Sequence, residues 1–286
     1  MIHHIKRATR YFIFGSLLAL AISLTGVRFL LSGIEGYQLQ LQARVSELVG
    51  APVIVRHLSA KMRGFSPELI LKDITVASID ANAPPAIQLK EIRLAINLLD
   101  MLVHRELLAS SRVTLVGTKL TIIRKLDGNF SVLGLKAGDE QPLWLLQGGQ
   151  FEVVQSEITF LDQKRQTKAL SFESVDLAII NEASRHKINL LMKLPEKYGD
   201  SLMVAMDLQG NVFEASALNG AVYIEGKNLK LSELAAFDLP MSLNVTSGVA
   251  DINVWAELQR AQLLAMTSEV QLKHFNLLHH DHDVIN

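Results

Sequence analysis

Residues 202–209, Leu-Met-Val-Ala-Met-Asp-Leu-Gln, decide the fold. Leu202, Val204, Met206 and Leu208 alternate with Met203, Ala205, Asp207 and Gln209. A strand sends successive side chains to opposite faces, so this segment carries one aliphatic face and one mixed face. The pattern recurs at Ile92, Leu94, Ile96, Leu98; at Val175, Leu177, Ile179; at Ile188, Leu190, Met192, Leu194; and at Ala250, Ile252, Val254, Ala256, Leu258. Less regular strands are expected over 53–58, 69–76, 113–124, 156–161 (with Ile158 and Phe160) and 266–272. Asp127-Gly128 separates two strand-like runs and reads as a tight hairpin turn. Longer hairpin loops are expected at 162–165 and 208–211. The expected fold is mainly β: a curved antiparallel sheet with one or two short amphipathic helices.

Such a sheet must hide its aliphatic face. Residues Ile34, Tyr37, Leu41, Val45 and Leu48 share one side of a helix ended by Gly50 and Pro52. A second helix is expected over 98–108. Two helices are too few to cover some ten strands. The face is therefore either the inside of a closed sandwich or an open groove that holds an apolar ligand, and alternation suits both.

Upstream, residues 11–31 form an apolar run whose only charge is Arg28, long enough to span a bilayer core of ~30 Å as a helix. Ala19-Leu20-Ala21 resembles a signal-peptide cleavage site, but the run continues past it through Leu31, which favours an uncleaved anchor. Lys6, Arg7 and Arg10 precede the run and hold that end in the cytoplasm. The expected organisation is residues 1–10 cytoplasmic, 11–31 transmembrane and 32–286 outside the cytoplasm, which is the periplasm, off the bacterial inner membrane, if the source is a Gram-negative bacterium.

The composition narrows the chemistry. A net charge of −1 gives no broad footprint for nucleic acid. With no cysteine in the chain, disulfides, iron–sulfur clusters and thiol catalysis are excluded. Hydrophobic residues make up 49%, but aromatics only 6%, so the aliphatic face is built mostly from Leu, Ile, Val, Met and Ala. His279, His280, His282, Asp281 and Asp283 could hold a metal by composition, but they read better as a solvated chain end. His57, His104, His186 and His274 lack ligand spacing. Asp127-Gly128-Asn129 is a turn rather than a calcium loop. Lys164, Arg165 and Lys168 suit an exposed hairpin tip better than a headgroup site. No nucleophile, metal or acid–base motif is present, so the chain reads as a non-enzyme with no cofactor.

Three stretches carry a family resemblance. They are Ala51-Pro52-Val53-Ile54-Val55 with Gly64-Phe65-Ser66-Pro67-Glu68-Leu69; Val113 to Gly117 leading to Ile122-Ile123-Arg124-Lys125-Leu126-Asp127-Gly128-Asn129-Phe130; and residues 151–161, Phe-Glu-Val-Val-Gln-Ser-Glu-Ile-Thr-Phe-Leu. Together they resemble the AsmA-like family, nearest to its YhdP-like members. The resemblance implies a membrane-anchored bridge whose β-groove conducts phospholipids from the inner toward the outer membrane. Family members run far longer, so the chain reads as an N-terminal portion, with the outer membrane reached through a region beyond it. On this reading Ile92, Leu94, Ile96, Ile158, Phe160, Leu177, Ile179, Ile188, Leu190, Met192, Leu202, Val204, Met206, Leu208, Ile252 and Val254 line the groove. The competing expectation is an anchored periplasmic scaffold with a closed sandwich core.

Overall fold

The computed structural model describes residues 25–26, 33–64, 66–78, 80, 83–98, 101, 110–135, 149–164, 169–211, 217–234, 244–279 and 282–285. The expected membrane run, apart from Thr25 and Gly26, lies outside them, as do most of the expected helix over 98–108 and the cations Arg165 and Lys168. Among the described residues no helix is long and apolar enough to cross a membrane.

Among the described residues fourteen strands form one sheet: β1 (Val53–Arg63), β2 (Ser66–Val76), β3 (Ile87–Ile96), β4 (Ser111–Val116), β5 (Lys119–Arg124), β6 (Phe130–Val132), β7 (Gln150–Asp162), β8 (Leu170–Glu182), β9 (Arg185–Lys193), β10 (Ser201–Gln209), β11 (Asn219–Lys230), β12 (Asn244–Gln259), β13 (Gln262–His279) and β14 (His282–Ile285). The main path is β1-β2-β3-β4-β7-β8-β9-β10-β11-β12-β13-β14, with β5 beside β3, β6 and β7. Its two ends, β1 and β14, are not hydrogen-bonded to each other, so the described sheet is open. The Asp127-Gly128 turn joins β5 to β6, with Gly128 at φ 90 and the Lys125 N–H donating to the Asn129 carbonyl.

The sheet is mixed, which corrects the expectation of a wholly antiparallel one. β7 runs parallel to both β4 and β5. β4, Gly117-Thr118 and β5 form one bent run, and β7 lies along it at a constant offset of 38 residues. Thr118 N–H donates to Ser156 Oγ at 3.0 Å, and Ser156 is only 1% exposed. Because the chain turns back through β6 before β7 begins, no hairpin can link β5 to β7. Local turn chemistry does not report such a non-local pairing.

The edge at β1 is covered by helix α1 (Gln38–Val49), entered through a 3-10 turn at Ile34–Tyr37 and ended by Gly50 at φ 70. One stripe of α1 satisfies β1's free backbone: Gln38 Nε2 donates to Val55 O (2.6 Å), Gln42 Oε1 accepts from Val55 N (3.1 Å) and Ser46 Oγ accepts from Val53 N (2.9 Å). An exposed edge is a template for further strands, and this ladder removes it. The neighbouring stripe, Ile34, Leu41 and Val45, packs on a core of Val53, Val55, Leu58, Leu71, Ile74, Val76 and Leu89. Tyr37, expected on that stripe, is exposed.

A line of bulges crosses the sheet. Asp73, Gln155, Ser174, Asn228 and His274 adopt positive φ between 49 and 52, and Gly117 joins them at 61. Strand registers slip at the same level, between Val153 and Ser156, Glu173 and Asp176, and Gly226 and Leu229. Each bulge adds a residue and bends its strand. Alternation shifts phase there, so Leu71 and Ile74, or Val153 and Ser156, stay on one face although three residues apart. This explains the irregular strands of the sequence.

Two carboxylates brace the line: Asp176 Oδ1 accepts from Gln155 N and Asp251 Oδ1 from Asn228 N, both at 2.7 Å. The Asn228 N–H, and secondarily the Lys273 and Lys227 charges, hold the Asp251 carboxyl below its ordinary value of 3.8. A depressed folded pKa means the stabilisation is complete above the unfolded value and is lost as pH falls through the folded one. Exchange at the Asn228 amide, measured relative to an unstructured amide at the same pH, should therefore stay slow at neutral pH and lose its protection only below about pH 4. Asp251→Ala should make it fast at neutral pH; slow exchange in that variant would remove the bracing role.

Candidate functional site: a continuous apolar face

Direct cross-strand partners share a face, so the register can be followed from one edge to the other. Starting at β1, one row reads Leu58, Leu71, Ile92, Leu115, Val153, Leu177, Leu190, Val204, Ile224, Val254. The row two residues along reads Ala60, Leu69, Leu94, Val113, Phe151, Ile179, Ile188, Met206, Val222, Ala256, Met266. No polar side chain interrupts either row as far as β12; on β13 the first row meets Ser268 while the second continues to Met266. At ~4.8 Å per strand the apolar track is roughly 45 Å long. Across the bulge line it continues as Val53, Val76, Ile87, Leu120, Ile158, Phe172.

All sixteen residues expected along the groove fall on this face. Ile92, Leu177, Leu190, Val204 and Val254 belong to the first row, and Leu94, Ile179, Ile188 and Met206 to the second. Met192, Leu202 and Ile252 form part of a third with Gly226. Ile96, Leu208, Ile158 and Phe160 lie at its margins. Sequence reasoning missed Leu58, Leu71, Leu115, Val153, Phe151 and Ile224, which complete the rows. The signal that could have found them is the phase slip at Asp73 and Gln155.

At the α1 end the face is buried under the helix. From β8 onward Leu177, Leu190, Val204, Met206, Ile224 and Val254 are only half-buried, and Met266 on β13 is 62% exposed. Some fifteen such side chains at about 32 Å² of sheet each give roughly 500 Å² of apolar surface. The largest patch on an ordinary monomer is about 300–600 Å² and commonly functional, so this face has the size of a binding surface.

The opposite face is mixed, with Ile54, Leu191 and Trp255 exposed among charges that pair with one another. Lys61 meets Glu68 (3.1 Å), Lys119 meets Glu157 (2.6 Å), Lys227 meets Glu225 (3.2 Å) and Arg185 meets Asp207 (2.5 Å). The Arg185 hydrogen bond holds the Asp207 carboxyl below its ordinary value. Apart from buried Glu68, these groups are partly or largely exposed and their pairing contributes little stability, but the charges keep this face hydrated.

The family model for the YhdP protein matches residues 1–284. The chain belongs to the YhdP family. Membership makes it a β-rich protein of the AsmA-like, lipid-transport-related class. No match is found among curated proteins or among solved structures. Among the described residues no group of three or more His, Cys, Asp or Glu could hold a metal ion. The His279–Asp283 cluster lies partly outside those residues. His186 is buried, its ring Nδ1 2.8 Å from Asn181 Oδ1, which is a structural contact.

Proposed function

We propose that this YhdP-family chain is a membrane-anchored part of a lipid conduit, in which acyl chains lie on the apolar face and move across its strands. The supporting observation is the unbroken aliphatic register from Leu58 to Val254, half-exposed over its second half. A lipid tail crossing water forfeits ~0.8 kcal/mol per CH₂, so a continuous dry track lowers the barrier at every step. The track offers no polar anchor along its rows, which suits sliding rather than tight capture. The run 11–31 would hold it in the bacterial inner membrane, with the sheet in the periplasm and phospholipid as cargo toward the outer membrane. No bond is made or broken in such a transfer, so the reading is of a non-enzyme without cofactor.

The test is photocrosslinking in the full chain, embedded in membrane. Phospholipid adducts are expected from probes at Val204 and Met206 and not from Ala205, which the register puts on the polar face. Equal yields from 204 and 205, or none from either, would remove the conduit reading.

A further inference from the structure

A trough of about 430 Å³ crosses the mixed face, opposite the apolar track, from β9 to β13. Two rows of the register border it: Asn189, Ala205, Tyr223, Trp255, Thr267 and Lys187, Asp207, Ala221, Glu257, Ala265. Its floor is the backbone of the row between them, Met206, Val222, Ala256 and Met266, whose side chains belong to the apolar face. Five strands at ~4.8 Å make the trough roughly 19 Å long, the span of about six extended residues.

Most of the border is small. Ala205, Ala221 and Ala265 leave Trp255 standing above its neighbours, and it is 44% exposed although its strand is paired on both sides. The indole is nevertheless held in place. Tyr223 donates its hydroxyl proton to Glu225 Oε2 (2.7 Å), with Asn253 Oδ1 at 3.2 Å, and its ring packs on Trp255 with centroids 5.4 Å apart. A fixed, exposed aromatic loses little freedom on binding, and Trp, Tyr and Arg dominate the energetic centres of interfaces.

Charge decides what the aromatic pair accepts. The cations around the trough already have carboxylates: Lys187 meets Glu182 (3.8 Å), Arg185 meets Asp207 (2.5 Å), Lys227 meets Glu225 (3.2 Å) and Lys273 meets Asp251 (3.6 Å). Glu257 and Glu269 have no polar partner among the described residues, and Arg260 in the β12–β13 turn pairs with neither. Glu257 is two residues along β12 from Trp255, and Glu269 is its diagonal neighbour on β13, each roughly 7–8 Å away between Cα atoms. A guanidinium stacks on an indole and gives its N–H groups to carboxylates at the ring edge.

We infer that this trough docks an extended, arginine-bearing segment of a partner protein, with the guanidinium over Trp255 between Glu257 and Glu269. The trough is longer than a free cation needs, and Asn189 and Thr267 place amide and hydroxyl groups at its two ends for a peptide backbone. It lies on the face opposite the acyl track, so the inference does not depend on the lipid reading.

The test measures, by fluorescence anisotropy, the full-length chain in detergent micelles binding a labelled peptide, Gly-Ala-Ala-Arg-Ala-Gly. Its lysine and citrulline forms and free N-acetylarginine amide are the comparisons. The arginine peptide should bind about tenfold tighter than the citrulline form, which keeps the shape but not the charge, with lysine between them. It should also bind more tightly than the free amide. Trp255→Leu should remove binding. Glu257→Gln and Glu269→Gln, both at exposed positions, should each narrow the arginine preference about threefold. Should Trp255→Leu fail to fold, the two glutamine variants decide. Citrulline binding equal to arginine, affinity unchanged in both glutamine variants, binding that survives Trp255→Leu, or no binding by any peptide would each overturn the inference. Free acetylarginine amide binding as tightly as the peptide would overturn it as well, by making the trough a small-cation site.

Discussion

Val204→Asp should cut lipid passage along the apolar face by one to two orders of magnitude, while Ala205→Asp should leave it unchanged. Val204 sits mid-row, with Leu190 and Ile224 as its direct neighbours. A charge amid acyl chains costs about 2.5–3.5 kcal/mol on insertion scales, and 1.4 kcal/mol is a factor of ten. Ala205 is one residue away, yet its neighbours are Asn189 and Tyr223 on the wet face. The readout is the lipid-adduct yield of a probe at Val254, further along the same row, in each background. An Ala205→Asp loss equal to that of Val204→Asp would mean general damage rather than a blocked track. No loss in either variant would mean that lipid does not travel this row.

Gly220→Ala should destabilise the β10–β11 pair by about 3–5 kcal/mol, near the upper end for a single substitution. Gly220 lies at φ 153, a conformation L side chains rarely adopt. A methyl there would fall inside the Asp207 carbonyl and 2.9 Å from Leu208 Cα, both backbone, so nothing flexible can yield. Gly50→Ala, at φ 70 with nothing within 4 Å, carries only the left-handed strain, about 1 kcal/mol. Thermal unfolding and amide protection across β10 and β11 would separate the two. A Gly220→Ala loss below about 1 kcal/mol would show that the strands part without cost there. Gly220 opposes Leu208 and Leu258 on the apolar face, so opening this pair should also interrupt the track.

Other features were legible in part. The 34–48 helix is readable from apolar spacing, yet nothing in that spacing marks Gln38, Gln42 and Ser46 as the stripe that seals β1. Only the position of β1 beside the helix gives those side chains backbone partners. The strand over 69–76 looked irregular because Asp73 at φ 52 delays Ile74 by one position. The same holds at Gln155, where Ser156 replaces the expected apolar residue and serves the Thr118 N–H. A period-two template breaks at such points, although the face itself does not.

The outer side of β13 is unpaired over 262–276 among the described residues, and Met266, Val270 and Leu272 are exposed there. The two edges of the sheet are thus unlike: one is closed by a helix, and the other keeps free backbone and the apolar face together.

Leu202 to Gln209 alone determined that this protein is a sheet with one dry and one wet face, because side-chain direction within a strand depends only on parity. What alternation cannot carry is which strands become neighbours and in what register. That was decided by tertiary structure: β7 parallel to β4 and β5, bulges aligned from Asp73 to His274, and α1 over the first edge. Those choices depend on contacts between residues far apart in the chain, and they turn separate aliphatic stripes into one continuous face.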